Sequence, residues 1–547
     1  MGAFSVRKES ESMREMLERT AQNKGVILKF SMNIRIFSRR ASARPRNLFI
    51  PLFQNTSLPT EEFFSLLDAE TKKTLAEFAK KEFHGEEGEV KSLWRSGAMP
   101  ERIVLFGLGE KEKWNERKTP LIPRRMVQYA KREKISEFTT PLLILKSHFN
   151  MREYARIFAE NAIMAGFEYN AYKKPPEEGW PQVKSISLAV RDKDARDAEA
   201  GIKEGVIIGE EVNRCRTLAN TPGSDMTPKV LADEARKVGR EIRIKVKILD
   251  EPEIKRLGMG GVLGVARGSD EKPKFIILEY HAGPKSPAPS GRGSPSNAGR
   301  QKPLVLVGKG VTFDTGGLNL KPDQHIYEMH MDMSGGAAVI HGIAAIARLK
   351  LPINVVGLIP AVENMPSGSS YRPGDLLKSM SGKVIEVLNT DAEGRVILSD
   401  ALTYALRYKP GLIVDFATLT GAAHVALGSY MSAVFTNREE LIESLVAVGK
   451  QSGDYVWPLP LWDEYLADIK GTFGDLANIG QKDRYGGAIH GAKFLEQFVE
   501  NAPWAHVDIA PRMTAHDQEF LAKGAAGTGV RYIVELAKEY QELVSRL

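Results

Sequence analysis

Along the first third of the chain, short apolar runs alternate with stretches of helical spacing. "NLFIPLF" (47–53), "RIVLFGLG" (102–109), "PLLILK" (141–146) and "SISLAV" (185–190) are bounded by polar and turn-forming residues, as buried strands are. Between them, "EEFFSLLDAETKKTLAEFAKKEF" (61–83) and "MREYARIFAENAIMAGFEY" (151–169) repeat apolar residues at three- and four-residue intervals. This alternation predicts an α/β unit with a mainly parallel sheet. A long polar stretch, "DKDARDAEAGIKEGVIIGEEVNRCRTLANTPG" (192–223), reads as one helix stopped by Pro222-Gly223, and Thr227-Pro228 opens the next helix. The boundary between units is therefore expected near 195–218.

The second unit repeats one arrangement: an apolar strand, then polar residues, then glycines or a helix. "PLVLVGKG" runs into "VTFDTGGLNLKP", "MHMDM" into "SGGAAVIHGIAAIARL", "KVIEVL" into "NTDAEGR", and "LIVDFATL" into "TGAAHVALG". In open α/β sheets ligands bind outside the carboxyl ends of the strands, so these corners should converge on one cleft. Lys309, Asp314, Lys321, Asp332, Asp391, Glu393 and Arg395 would be carried there. For the acidic turn alone, a solvated loop with a helix cap is the other reading.

Composition narrows the class. The chain has 547 residues, 42% hydrophobic and 27% charged, ordinary for a globular protein of two or more domains. No run of about 18 apolar residues occurs, so no membrane span is expected. Cys215 is the only cysteine, which excludes an internal disulfide and a cysteine-rich zinc site. The net charge is +7, and basic clusters at 39–46 and 123–134 would form either solvated faces or phosphate contacts. Residues 9–25 read as a short amphipathic helix with four glutamates, unlike a transit peptide, and no apolar signal region follows. A cytoplasmic protein with an N-terminal extension over 1–31 is expected. The segment 283–303 is Gly, Pro and Ser with a few bases, which predicts a dispensable surface loop.

Four carboxylates sharing a cleft would repel and raise one another's pKa. Two divalent cations would cancel their formal charge, and a carboxylate-rich site with few histidines suits Mg, Mn or Zn. Paired metals can activate a water and polarise a carbonyl, which is hydrolytic chemistry. Other mechanisms find no motif: H-E-x-x-H and G-x-S-x-G are absent, "VGKGVT" is not a P-loop, and "GLGEKEK" lacks the third glycine of a dinucleotide fingerprint.

At these residues the chain resembles the M17 leucine aminopeptidase family, also called cytosol aminopeptidase or aminopeptidase A. "NTDAEGR", "VGKGVTFDTGGLNLKP", "MDMSGGAAV" and "ATLTGA" carry the likeness, supported by "LANTPGSDMTP", "PLWDEYLADIKGTFGDLANIG", "WAHVDIA" and "GAAGTGVRYIVEL". It spans about residues 200–547; the first unit resembles the family only in its alternation and "IPLFQNTSLP". The resemblance implies a smaller N-terminal, macro-like α/β domain (32–195), a linker helix (196–217), and a larger catalytic α/β/α domain (218–547).

It also implies site roles. Lys309, Asp314, Asp332, Asp391 and Glu393 would bind two divalent metals, Mn or Zn with Mg or Co as alternatives. Asp314 and Glu393 would bridge them, Lys309 and Asp332 would serve the more exchangeable site, and Asp391 the tight one. Lys321 would stabilise the oxyanion, and Arg395 would hold bicarbonate as general base. Met329, Thr418, Gly421, Ala510 and Met513 would line a hydrophobic pocket for the N-terminal side chain; the plain alternative is that all five are ordinary core residues. Peptide substrates and a homohexamer follow from the family. DNA binding, known for some bacterial relatives, is an additional role that the basic clusters raise. Two departures stand out: "GLNLKP" replaces the usual Ile-Ser-Ile before the lysine and should alter packing, and Pro511 and Arg512 replace small or apolar residues, which bears on pocket shape.

Overall fold

The computed structural model describes residues 32–37, 45–55, 67–142, 149–282, 302–480 and 485–547. The expected helix at 9–25, most of the basic cluster at 39–46, the last four residues of "PLLILK" and nearly all of the 283–303 loop lie outside the described residues.

In the first unit, six strands run β1 (Asn33–Ile36), β2 (Asn47–Leu52), β3 (Val90–Trp94), β4 (Arg102–Gly107), β5 (Glu137–Pro141) and β6 (Ser185–Ala189). They form one sheet in the order β1-β6-β5-β2-β4-β3, parallel except for the edge pair β3/β4. β4 is buried along its whole length, and coverage of both faces explains why it reads as an unbroken apolar run. Three strands were not foreseen. β1 and β3 are short edge strands with few buried positions, and β5 shares only Pro141 with the expected 141–146 strand. "EFTTP" owes its strand to threonine and phenylalanine rather than to an apolar run.

The basic cluster at 123–134 is only partly a solvated face: Arg132 and Lys134 are exposed, whereas Arg124 and Lys131 are buried. It is a helix (Leu121–Arg132) that turns cations inward: Arg124 Nε donates to Asn161 Oδ1 at 2.9 Å, and buried Lys131 pairs with Glu168. The helix Ala195–Asn220 is also less polar in place than in sequence. Half of it is buried between the helices Met151–Gly166 and Ser334–Leu349. Gly201, Gly205 and Gly209 allow the first approach; a Cβ on Gly205 would lie 2.3 Å from the carbonyl oxygen of Arg156. Glu210 and Glu211 bind Arg348 at 2.6 and 2.7 Å, and Glu211 also meets His341 at 2.8 Å. Polar residues sit inside because their partners arrive from more than a hundred residues away.

The second unit contains β7 (Lys245–Leu249), β8 (Lys274–Tyr280), β9 (Leu304–Gly308), β10 (Gly310–Asp314), β11 (Val355–Asn364), β12 (Leu376–Lys378), β13 (Val384–Glu386), β14 (Leu412–Ala417), β15 (Ser432–Thr436), β16 (Val456–Pro458), β17 (Leu476–Ala477) and β18 (Trp504–Asp508). Nine of them form a sheet in the order β16-β15-β18-β14-β9-β11-β8-β7, with β10 also on β11. β12, β13 and β17 make a separate small sheet. The central strands β9, β11, β14 and β18 are mutually parallel, so their carboxyl ends share one edge. Their apolar side chains are almost wholly buried beneath it; truncating one of them, such as Leu306→Ala, would cost about 2–5 kcal/mol. That layer is the platform for the site.

Candidate metal centre

Four strand ends deliver polar residues to one place. β9 leads into Lys309, β10 ends at Asp314, β11 ends at Asn364, and β14 leads into Thr418. The remaining groups come by other routes than the sequence suggested. "MHMDM" is no strand: Met329–Met331 is one 3-10 turn that places Asp332 before the helix Ser334–Leu349. "KVIEVL" contributes β13 to the small sheet, and the turn after it brings Asp391 to the start of the helix Glu393–Ala405. "VTFD" is itself strand rather than a loop.

Asp314, Asp332 and Glu393 are buried, each with a carboxylate oxygen within 4.8 Å of the other two. Lys309 Nζ lies 2.8 Å from Asp332 Oδ2, 2.7 Å from Glu393 Oε1 and 3.0 Å from the Thr418 carbonyl oxygen. Lys321 Nζ lies 2.8 Å from Asp314 Oδ2 and pairs with Asp391. Gly394 is required by closeness: a Cβ there would sit 2.7–2.9 Å from the end of the Lys309 side chain. Arg395 is buried, its Nη1 donating to the Asn478 carbonyl at 2.9 Å, while its Nε has no partner among the described residues.

The electrostatics are those of crowded like charges. Burial, then the Asp314 carboxylate, pushes Asp391 up to about 6 against the pull of Lys321. Burial and the neighbouring Glu393 carboxylate raise Asp314. Asp332 is raised well above the ordinary range, chiefly by burial, despite Lys309. Burial acts on Glu393 in the same sense, but Lys309 and Lys321 outweigh it and hold it low. Burial lowers Lys309 too, yet Asp332, Glu393 and Asp314 more than reverse that. Burial pulls Arg395 down to about 10.

These residues fit divalent metals. Asp332 Oδ2, Asp391 Oδ1 and Glu393 Oε1 are buried and have no partner other than a lysine ammonium. Buried carboxylate oxygens without full partners are costly, and hard or borderline cations bind such oxygen-rich sets.

The chain belongs to the cytosol aminopeptidase family. Residues 213–534 match its catalytic domain and 49–176 its N-terminal domain. A probable cytosol aminopeptidase of Nitrosococcus oceani is 40% identical over 466 residues, covering 84% of this chain and 89% of its own. One from an Azoarcus species is 47% identical over 352 residues, 64% and 67% of the two chains. Among solved structures, the bottromycin maturation enzyme BotP in complex with Mn superposes with a TM-score of 0.77 at 27% identity, covering 90% of this chain and 99% of that one. Membership makes this protein a hydrolase of the aminopeptidase class.

The five expected pocket residues gather less tightly. Thr418 is buried and donates from Oγ1 to Asp332 Oδ1 at 2.6 Å, so it orients an acid as well as forming a wall. Met329, Ala510 and Met513 are half-buried, and Gly421 is exposed with open space around its Cα. The two sequence departures have small effects here. Leu318 and Leu320 are exposed, so the "GLNLKP" change does not repack the core. Arg512 turns aside, its guanidinium held by the Ser429 carbonyl at 2.7 Å and Glu519 at 2.6 Å.

Sequence reasoning missed the residues that hold the clustered acids in place. Asn364 donates to Asp314 Oδ1 at 2.8 Å and to the Thr390 carbonyl at 3.0 Å, tying the β10 end to the acidic turn. The Asn478 amide oxygen accepts from the backbone of Leu388 and Asn389, fixing that turn from the other side. Asp508 accepts from Leu419 N at 3.1 Å, Thr420 Oγ1 at 2.7 Å and Ala510 N at 3.1 Å. It thereby joins the two segments that carry Thr418, Gly421, Ala510 and Met513. The strand-end rule that singles out Lys309 would also have found Asn364 and Asp508, each the last residue of a buried strand.

Proposed function

We propose that this protein is a two-metal aminopeptidase releasing N-terminal, preferably hydrophobic (leucine-like), residues from peptides. The observation that carries the reading is the convergence of Asp314, Asp332 and Glu393 within 4.8 Å, in a chain of this family. Lys309, Asp314, Asp332, Asp391 and Glu393 would hold the two ions, with Asp314 and Glu393 between them. Such a pair supplies a Lewis acid for the scissile carbonyl and lowers the pKa of a water.

The protein's own groups then divide the work. Lys309 must surrender its proton to act as a ligand, which the acids around it resist until cations compete for them. Lys321, kept charged by Asp314 and its neighbours, faces the oxyanion that develops on the carbonyl. Arg395, with an unpartnered Nε, offers a fork for bicarbonate, which would serve as general base. Thr418 holds Asp332 towards the substrate's free amino group, the feature that restricts cleavage to the chain end. Assembly as a homohexamer rests on the family resemblance and is checked by light scattering.

The test is hydrolysis of aminoacyl arylamides after chelation and readdition of Mn, Zn, Co or Mg. Activity should vanish with chelation, return with metal, and favour leucyl over acidic substrates. Turnover indifferent to chelation would overturn the two-metal reading, and equal rates on acidic substrates would overturn the side-chain preference.

A further inference from the structure

A cavity of about 590 Å³ lies where the two units meet, and it shares no residue with the metal cluster. Its volume falls within the range of small-molecule sites, roughly 300–1,000 Å³. The first unit contributes Trp114, Arg117, Phe149 and Arg156; the second contributes Lys450, Tyr455 and Arg531.

The lining cations divide into two kinds. Arg156 and Arg531 are already neutralised: Arg156 Nη1 lies 3.2 Å from both Glu160 and Glu535, and Arg531 pairs with Asp454 and Glu160. Arg117 and Lys450 are exposed and have no carboxylate partner among the described residues; the Arg117 guanidinium lies 5.1 Å from the centre of the Tyr455 ring. Two more donors are unmatched there. Among the described residues the buried Trp114 indole N–H has no acceptor, and the Tyr455 hydroxyl makes no hydrogen bond. Against four idle donors the lining sets one idle acid, Glu116. A cavity with surplus donors and aromatic walls is complementary to an acceptor-rich anion with a flat or apolar body.

We propose that this cavity is a binding site for a small organic oxyanion, a phosphate monoester or carboxylate, whose head meets Arg117 and Lys450 and whose body lies against Trp114 and Tyr455. Because the lining comes from both units, the ligand bridges them, and its binding raises the stability of their docked state by mass action. The site is independent of the aminopeptidase reading.

The experiment is calorimetric titration of the metal-loaded, full-length protein with phenyl phosphate, inorganic phosphate and glutarate, alongside thermal unfolding. Phenyl phosphate should bind saturably at one site per chain and more tightly than inorganic phosphate, with Tm rising as its concentration rises. Comparison with glutarate assigns the head group. An Arg117→Ser/Lys450→Ser double variant should weaken binding by about tenfold or more, as loss of charge-assisted contacts does, while its kcat without anion stays at the wild-type value. Tyr455→Phe should weaken it by less. Absence of saturable binding with all three probes would overturn the proposal, as would binding unchanged in the double variant, which would place the anion elsewhere.

Discussion

Two clusters of buried charge lie in this molecule and are built on opposite terms. At the junction of the units, Arg156, Arg531, Arg124 and Arg512 meet Glu160, Glu535, Asp454 and Glu519, one acid for each base. At the strand ends, four carboxylates meet two lysines, and three buried carboxylate oxygens have only an ammonium for company. The balanced cluster holds Glu519 low, where burial is outweighed by Arg512 and Arg124; the unbalanced one drives Asp332 far up. Burial is common to both, so burial does not mark function. What separates the two is the deficit of counter-charge at the strand ends, which only a bound proton or a cation removes.

The sharpest test of the contrast is Glu393→Ala. Outer-shell partners of metal ligands are worth about 10–100-fold in affinity, so if Glu393 is the proposed shared ligand its loss should cost more and abolish turnover. Elemental analysis beside kcat measures both; two metals per chain with near-normal rates would show the turn to be only a helix cap. The matching change in the balanced cluster is Arg531→Ala. It strands Asp454 and leaves Glu160 to Arg156 alone, and should cost about 3–5 kcal/mol in denaturant unfolding, while the folded fraction keeps its metals and specific activity. Loss of metal there would mean that the two clusters are coupled.

Arg395→Ala should separate base from metal. The metals stay, and kcat falls by about 10²-fold, at the low end for general-base assistance. Asp508→Asn comes next, with about tenfold lower kcat/KM on hydrophobic substrates, as loss of hydrogen bonds to a charged acceptor implies, and unchanged metal content. The smallest effect concerns pH. Asp391 in the metal-free protein has a folded pKa near 6, above its unfolded value of about 3.9. The folded state then binds this proton more tightly, so its contribution to stability grows as pH falls through that window and shrinks as pH rises. Glu519, held low, loses its contribution only in stronger acid. Metal-stripped protein should therefore gain from mild acid where metal-loaded protein, its ligands protonated, loses; parallel Tm-versus-pH curves for the two forms would contradict this.

The amino-acid sequence by itself determined the elements whose signal is local. β2, β4, β6, β9 and β14 were legible because strands buried on both faces must be apolar throughout. That "VGKGVTFDTGGLNLKP" and "NTDAEGR" meet in one place was legible because so many charges beside apolar runs need a common partner. Tertiary structure alone decided what depends on distant residues. The helix Ala195–Asn220 reads as polar until His341 and Arg348 arrive to pair its glutamates. The cluster at 123–134 reads as a basic surface until Asn161, Glu168 and Glu519 turn Arg124 and Lys131 inward. Asn364 and Asp508 are marked in the one-dimensional pattern only as the ends of apolar runs, and Asn478 not at all; each acts by joining segments that meet only in the folded chain. Hydrophobic periodicity is a property of neighbours along the chain, whereas charge compensation is a property of neighbours in space.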